Sequence, residues 1–174
     1  DYACALMDRC VAVGIDFAKA QIEAGADTIG VGDAIASQVS PATYEAYIFE
    51  RERQLIDGIH GAGGRVRLHI CGDTTHLLPW FAKLGCDIVD LDWQVDIAHA
   101  RDVLGHEQAI MGNIDPVSAV LDATPEAIRA AIAAIYARIG NRYVVGAGCE
   151  IPPGTPHENL EALCAPVPWQ ADAS

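Results

Sequence analysis

The sequence predicts an α/β fold of the (β/α)8 TIM-barrel type, incomplete, with about five C-terminal β/α units. Five short apolar segments alternate along the chain with longer segments whose apolar residues recur at helical spacing. A loop rich in Gly, Asp, Asn, His or Cys follows each apolar segment, which is typical of open α/β sheets and of barrels. The chain contains no Gly-x-Gly-x-x-Gly fingerprint and no P-loop, so the barrel is favoured over a nucleotide-binding sheet.

The order of the elements follows from apolar periodicity and from the residues that cap helices. Ser40-Pro41 and Thr124-Pro125 each place an N-cap residue before a proline at the first helical position, and glycines end the helices. We expect strands at 27–31, 65–71, 87–91, 109–111 and 143–147. We expect helices at 4–24, 41–60, 76–84, 97–104 and 125–139, and a last helix from about residue 157.

The length of 174 residues suits a single core and is about two-thirds of a typical barrel. We therefore expect residues 1–164 to form one barrel-like unit that lacks roughly three N-terminal strands. Residues 165–174 contain two prolines, and we expect them to form a loose tail.

The charge balance excludes two classes of partner. The chain has 11 basic and 24 acidic residues, a net charge of −13, so its average field repels nucleic acid and anionic membrane surfaces. No apolar run approaches the roughly 20 residues that span a bilayer, and no secretory leader is visible. We expect a cytoplasmic protein whose six cysteines are reduced.

The segment 65–73 carries the most informative residues. Alternation along a strand points His69 and Cys71 to the same face, and Cys149 follows the last predicted strand among glycines. Because the C-terminal ends of parallel strands lie at one edge, these three side chains could converge. Three N/S ligands with an open fourth position are the pattern of a catalytic zinc site.

Arg67 shares the predicted face of His69, so it would point into the barrel. A buried arginine needs an anion. Two partners remain open at this point: an internal ion pair with Asp90 or Asp92, or an acidic group of a substrate.

Three further polar residues lie just beyond strand ends. Asp73 could accept a hydrogen bond from His69 or stabilise a turn. Asn113 could orient a ligand histidine or the substrate. Asp115 could cap the helix that Pro116 begins, or contact a bound substrate or cofactor.

Several motifs together resemble the uroporphyrinogen decarboxylase superfamily, and within it the methylcobamide:coenzyme M methyltransferase branch. The specific part is His69-Ile70-Cys71-Gly72 with the distant Gly148-Cys149, which matches the zinc ligands of that branch. The segments that identify only the superfamily are Gly112-Asn113-Ile114-Asp115-Pro116 and Thr155-Pro156-His157-Glu158-Asn159-Leu160. The resemblance covers residues 25–165 and corresponds to the C-terminal half to two-thirds of a family member.

The resemblance implies that His69, Cys71 and Cys149 bind Zn²⁺ and that the acceptor thiol takes the fourth position. It implies a methylated corrinoid (methylcobamide) as methyl donor, with a small-molecule thiol and a corrinoid protein as partners. Glu150, where a smaller residue is expected, faces away from Cys149 if the alternation persists. Asp33, on the face of Ile29 and Val31, is then the better candidate for a resting fourth ligand.

Two alternatives stay open. The first keeps the fold and makes the chain a uroporphyrinogen decarboxylase that needs no zinc, although such members act through an N-terminal Arg and Asp set outside the matching portion. The second is a truncated, inactive chain that binds metal or a partner. Unpaired sheet edges would also let copies associate into a homo-oligomer.

Overall fold

The structure is a computed structural model that describes residues 2–167. Helices and strands alternate through this range, as the sequence predicts. The α-helices of the described range are α1 (Tyr2–Glu23), α2 (Pro41–Thr43), α3 (Phe49–Gly61), α4 (Leu78–Leu84), α5 (Ile97–Leu104), α6 (Pro125–Ile139) and α7 (His157–Leu163). Its strands are β1 (Thr28–Gly32), β2 (Arg65–Ile70), β3 (Ile88–Leu91), β4 (Ala109–Ile114) and β5 (Tyr143–Ala147).

The five strands form one parallel sheet in the order β1-β2-β3-β4-β5. The order follows the chain without reversal, whereas a doubly wound sheet reverses at a switch point. The predicted α/β class is therefore confirmed, with strand connectivity of the barrel type. Within the described residues, β1 and β5 are the edges of the sheet and pair on one side only.

The two faces of the sheet have different environments, and β2 shows the difference. Val66, Leu68 and Ile70 are buried in the core that the helices cover. Arg67 and His69 alternate with them and stay partly exposed on the opposite face, which we call the concave face. This alternation confirms the predicted strand and leaves the side chains of Arg67 and His69 accessible.

Most predicted boundaries agree with the structure, and the bounds of α5, α6 and β5 agree residue for residue. Ser40 caps α2, and its hydroxyl accepts a hydrogen bond from the Thr43 N–H at 3.1 Å. A π-helix (Tyr44–Ile48) then joins α2 to α3. The structure adds a 3₁₀ helix (Ala36–Gln38), a 3₁₀ helix (Thr75–Leu77) before α4 and a second π-helix (Val117–Leu121).

Strand β4 is longer than predicted. It extends to Ile114, three residues beyond the predicted end at Met111. Gly112 and Asn113 have positive φ values of 95° and 74°, yet they keep their pairing with β5. Two residues that read as a loop in the sequence are therefore part of the sheet.

Among the described residues, no helix is both long and apolar enough to cross a membrane. Val167 packs against the core. The rest of the predicted loose tail, 168–174, lies outside the described residues.

Candidate metal centre

Three side chains with metal-ligand chemistry lie together above the C-terminal ends of the strands. His69 lies near the C-terminal end of β2 on the concave face, Cys71 follows that strand, and Cys149 follows β5. The Sγ atom of Cys71 lies 3.6 Å from Sγ of Cys149 and 3.2 Å from Nε2 of His69, and the three ligand atoms all lie within 4.8 Å of one another. The structure thus brings together the three residues that the sequence selects.

The spacing of these atoms fits a tetrahedral zinc ion. Two sulfurs about 2.3 Å from one zinc lie roughly 3.8 Å apart at the tetrahedral angle, and a sulfur and a nitrogen lie roughly 3.6 Å apart. The observed 3.6 Å and 3.2 Å are close to these values, so small side-chain adjustments would complete the geometry. A cavity of about 520 Å³ opens beside the three ligands, leaving room for a fourth ligand from a substrate.

The orientation of the His69 ring is fixed by its other nitrogen. Nδ1 lies 3.2 Å from the carbonyl oxygen of Asp90 and 3.4 Å from Oδ2 of the same residue. A carbonyl oxygen can only accept, so Nδ1 carries a proton, and in the neutral ring Nε2 then has the free lone pair. Nε2 is the nitrogen that faces Cys71, as metal binding requires.

The electrostatics of the three groups differ. The hydrogen bond to the Asp90 side chain raises the pKa of His69 to about 9, although burial acts the other way. Burial opposes ionisation of Cys149 too, but hydrogen bonds from His69, from the Glu150 backbone and from Cys71 together lower its pKa. Burial raises the pKa of Cys71. A metal ion that binds both sulfurs would therefore displace protons from the site.

The loops that carry the cysteines are held by the loop after β3. The buried Asp92 accepts hydrogen bonds from the Gly72 N–H at 2.8 Å and from the Gln94 N–H at 3.0 Å. Gly148, immediately before Cys149, packs so closely on the backbone of Trp93 that a Cβ atom would overlap it. Neither contact was predicted, because each joins loops whose proximity only the folded sheet reveals.

Arg67 forms the internal ion pair that was one of its two predicted roles. Its Nε and Nη2 atoms lie 2.9 Å and 2.8 Å from Oδ2 of Asp90. The Arg67 side chain remains 42% exposed and lines the cavity beside the three ligands. Pairing with Asp90 therefore leaves it accessible to a bound molecule.

Asp33 is not among the side chains that converge at the three ligands, and it does not line the cavity beside them. The register pairs Gly32 with His69, so glycines occupy the concave face of β1 and the Ile29 face points to the helices. Oδ1 of Asp33 instead accepts hydrogen bonds from the N–H groups of Ile35 and Ala36, both at 3.0 Å.

Asp73 and Asp115 stabilise local structure. Asp73 accepts hydrogen bonds from the N–H and hydroxyl of Thr75, and the residue that contacts His69 is Asp90. Asp115 accepts from Val117 and Ser118 and caps the second π-helix, which is the capping role that the sequence suggests.

Asn113 also has a structural role in this part of the fold. Its Nδ2 donates to the carbonyl oxygens of Asp92 at 2.9 Å and Val95 at 2.7 Å. It therefore secures the loop after β3. None of Asp33, Asp73, Asn113 and Asp115 lines the cavity at the three ligands.

Comparisons with known proteins agree with these motifs. Uroporphyrinogen decarboxylase of Geobacter sulfurreducens is 34% identical over 161 residues, which cover 91% of this chain and 46% of that protein. Methylcobamide:CoM methyltransferase MtbA of Methanosarcina mazei is 34% identical over 166 residues, which cover 94% of this chain and 48% of that protein. The chain thus spans about half the length of the curated relatives it matches.

A solved structure supports the same relationship. A methyltransferase from Methanosarcina mazei superposes with a TM-score of 0.79 at 27% identity, over 88% of this chain and 45% of that one. The sequence profile of the family described as uroporphyrinogen decarboxylase (URO-D) matches residues 1–167. The chain therefore belongs to the uroporphyrinogen decarboxylase family.

Proposed function

We propose that this chain carries the thiol-activating site of a zinc-dependent methyltransferase, which moves a methyl group from a methylated corrinoid to a small-molecule thiol of the coenzyme M type. The observation that carries the proposal is the convergence of His69, Cys71 and Cys149 within 4.8 Å beside an open cavity. A decarboxylase of this family needs no such ligand set. The similarity to a methylcobamide:CoM methyltransferase gives further support.

The residues would hold the metal and leave one position free. His69 through Nε2 and the sulfurs of Cys71 and Cys149 would be the protein ligands. Zinc bound there would supply a Lewis acid that promotes loss of the proton of the acceptor thiol, because a free thiol is mostly protonated at neutral pH. The acceptor sulfur would then attack the methyl carbon, and the corrinoid would leave with the bonding electrons as Co(I).

The cavity wall would orient the acceptor. Met111, Ile151 and Leu163 supply apolar surface, while Arg67 and Glu150 supply charge. Apolar walls would exclude water from the reacting sulfur. Reactants that the cavity already holds in position would lose less entropy on the way to the transition state. The corrinoid, alone or on a carrier protein, would approach from the concave face. Reduced thiols of this kind suit a cytoplasmic enzyme.

Zinc content is the direct test of this proposal. Elemental analysis of the purified, unchelated protein should find about one zinc per chain in the wild type and much less in His69→Ala and Cys149→Ser. Cys164→Ser is the matched control, because Cys164 is an exposed free cysteine outside the site. Methyl transfer from methylcobalamin to coenzyme M should follow the zinc content. Wild-type protein without zinc would contradict the proposal.

Decarboxylation of a tetrapyrrole is the second candidate, and it has support of its own. Several uroporphyrinogen decarboxylases match as well as the methyltransferases do, at about 34% identity. Activity on uroporphyrinogen that survives complete removal of metal would favour this reading.

The third candidate is a chain that is incomplete alone and associates with a partner. One face of α1 exposes Tyr2, Leu6, Val13 and Phe17 to solvent. A stable, monomeric, zinc-loaded protein in a size measurement would contradict this reading.

A further inference from the structure

We propose that Asp90 is a positioning residue of the metal centre, which holds His69 with Nε2 directed at the two cysteine sulfurs. This inference rests on the proposed zinc site. It assigns a role to a buried carboxylate that is not one of the three proposed metal ligands.

The sheet register places Asp90 beside His69. The two residues are partners across β2 and β3, and paired residues of parallel strands point to the same face. Asp90 therefore offers two acceptors to one ring nitrogen: its carbonyl oxygen lies 3.2 Å from Nδ1 of His69, and its Oδ2 lies 3.4 Å away. Together these acceptors keep the proton on Nδ1 and the lone pair on Nε2.

The carboxylate is itself held in place by Arg67. Both Nε and Nη2 of Arg67 donate to Oδ2, at 2.9 Å and 2.8 Å. The same oxygen faces His69, so Oδ2 has a fixed position between a guanidinium and an imidazole. A side chain locked in this way can orient the ring it contacts.

The burial of Asp90 argues against a purely structural role. Asp90 is 4% exposed, and its Oδ1 is buried without a hydrogen-bond partner among the described residues. A buried, half-satisfied carboxylate is costly, and a neutral side chain would serve the fold at lower cost. Such a carboxylate is useful where a metal-ligating histidine needs a hydrogen-bond acceptor for its other ring nitrogen.

The backbone of β4 makes room for this carboxylate. Gly112 has a φ of 95°, and a Cβ atom built on it would lie 2.6 Å from Oδ1 of Asp90 and 2.6 Å from the Leu91 carbonyl oxygen. A residue with a side chain at position 112 would push Asp90 away from His69. The glycine thus permits the Asp90–His69 contact.

Asp90→Asn tests the proposal, with Asp87→Asn as the matched control. Asp87 is also a carboxylate and directly precedes β3, where it accepts hydrogen bonds from Val66 and His60 at the start of the strand. Zinc affinity measured by competition with a chromophoric chelator should fall roughly 10–100-fold in Asp90→Asn and stay unchanged in Asp87→Asn. Nitrogen-15 shifts of His69 in the metal-free protein at alkaline pH, where the ring is neutral, assigned with His69→Ala, should show loss of the single Nδ1–H tautomer in Asp90→Asn alone.

A role in folding alone would lower the melting temperature without changing the zinc affinity or the tautomer, and that result would overturn the proposal. If Asp90→Asn does not fold, the double variant Arg67→Met/Asp90→Asn removes both charges and should show the same loss of affinity. Unchanged affinity in the double variant would also overturn the proposal. Wild-type protein that binds no zinc would instead refute the proposed function, so the two failures are distinguishable.

Discussion

Gly148 packs directly on the backbone nitrogen of Trp93, with no space for a Cβ atom between them. This contact joins the loop after β5, which carries Cys149, to the loop after β3. Two strands separate β2 from β5, so the approach of Cys149 to Cys71 depends on how these loops fold over the sheet.

Gly148→Ala should therefore disturb the metal centre. The added methyl group must displace either loop, at a cost of about 1–3 kcal/mol in the free energy of unfolding, and it should move the sulfur of Cys149. We expect zinc affinity to fall at least about tenfold. Gly30→Ala is the control, because a Cβ at Gly30 in β1 meets nothing within 4 Å. Equal zinc affinity in the two variants would show that the Gly148 contact does not position Cys149.

The sequence predicts those parts of the fold that local chemistry determines. Helix α6 begins after the cap Thr124 and ends at Gly140, and both residues mark the boundary by themselves. The longer β4 escapes prediction because Gly112 and Asn113 are turn residues by local criteria, and only pairing with β5 keeps them in the sheet.

The candidate site likewise has residues that the local sequence predicts and residues whose roles depend on strand pairing. His69, Cys71 and Cys149 can be selected from residue type and strand position alone. The alternation within β1 does not reveal that Gly32, and not Asp33, is the register partner of His69. The hydrogen bond between His69 and Asp90 depends on the register of β2 with β3, and the sequence of either strand alone does not give that register.

Glu52 should make the stability of the protein depend on pH. Burial raises its pKa to about 7 from an ordinary value of 4.5, and its Oε2 accepts a hydrogen bond from the Tyr44 hydroxyl. Because the pKa is higher in the folded state, the stabilising contribution is complete below about pH 4.5 and is lost as the pH rises through 7.

Wild type should accordingly lose about 2 kcal/mol of unfolding free energy relative to Glu52→Gln between pH 5 and 8. Urea denaturation across this range measures the difference. Glu50→Gln, at an exposed position of the same helix α3, should track the wild type. A constant difference between wild type and Glu52→Gln would contradict the raised pKa.

Arg101 should contribute to the stability of the fold and not to zinc binding. It is 3% exposed, and its guanidinium donates to the carbonyl oxygens of Gly105, Gln108, Asn141 and Arg142, just before β4 and β5. These strand starts lie at the opposite end of the sheet from His69. Arg101→Met leaves these acceptors without their donor and should cost roughly 3 kcal/mol.

A melting temperature lower by roughly 6–12 °C, with wild-type zinc affinity, is the expected result for Arg101→Met. Arg129→Met is the control, because the Arg129 side chain is 53% exposed on α6. Loss of zinc affinity in Arg101→Met at a temperature where the variant is folded would contradict the expectation that Arg101, at one end of the sheet, does not affect metal binding at the other end.

Zinc should raise the melting temperature of the wild type through linkage of binding to folding. The unfolded chain does not hold His69, Cys71 and Cys149 together, so the ion binds the native state preferentially. Free zinc at 100 times the dissociation constant should stabilise the protein by about 2.7 kcal/mol, or a rise of roughly 5–10 °C for a chain of this size. Cys164→Ser should respond as the wild type does and Cys149→Ser much less, and a chelator should reverse the rise. An equal rise in Cys149→Ser would mean that zinc stabilises the protein through other groups.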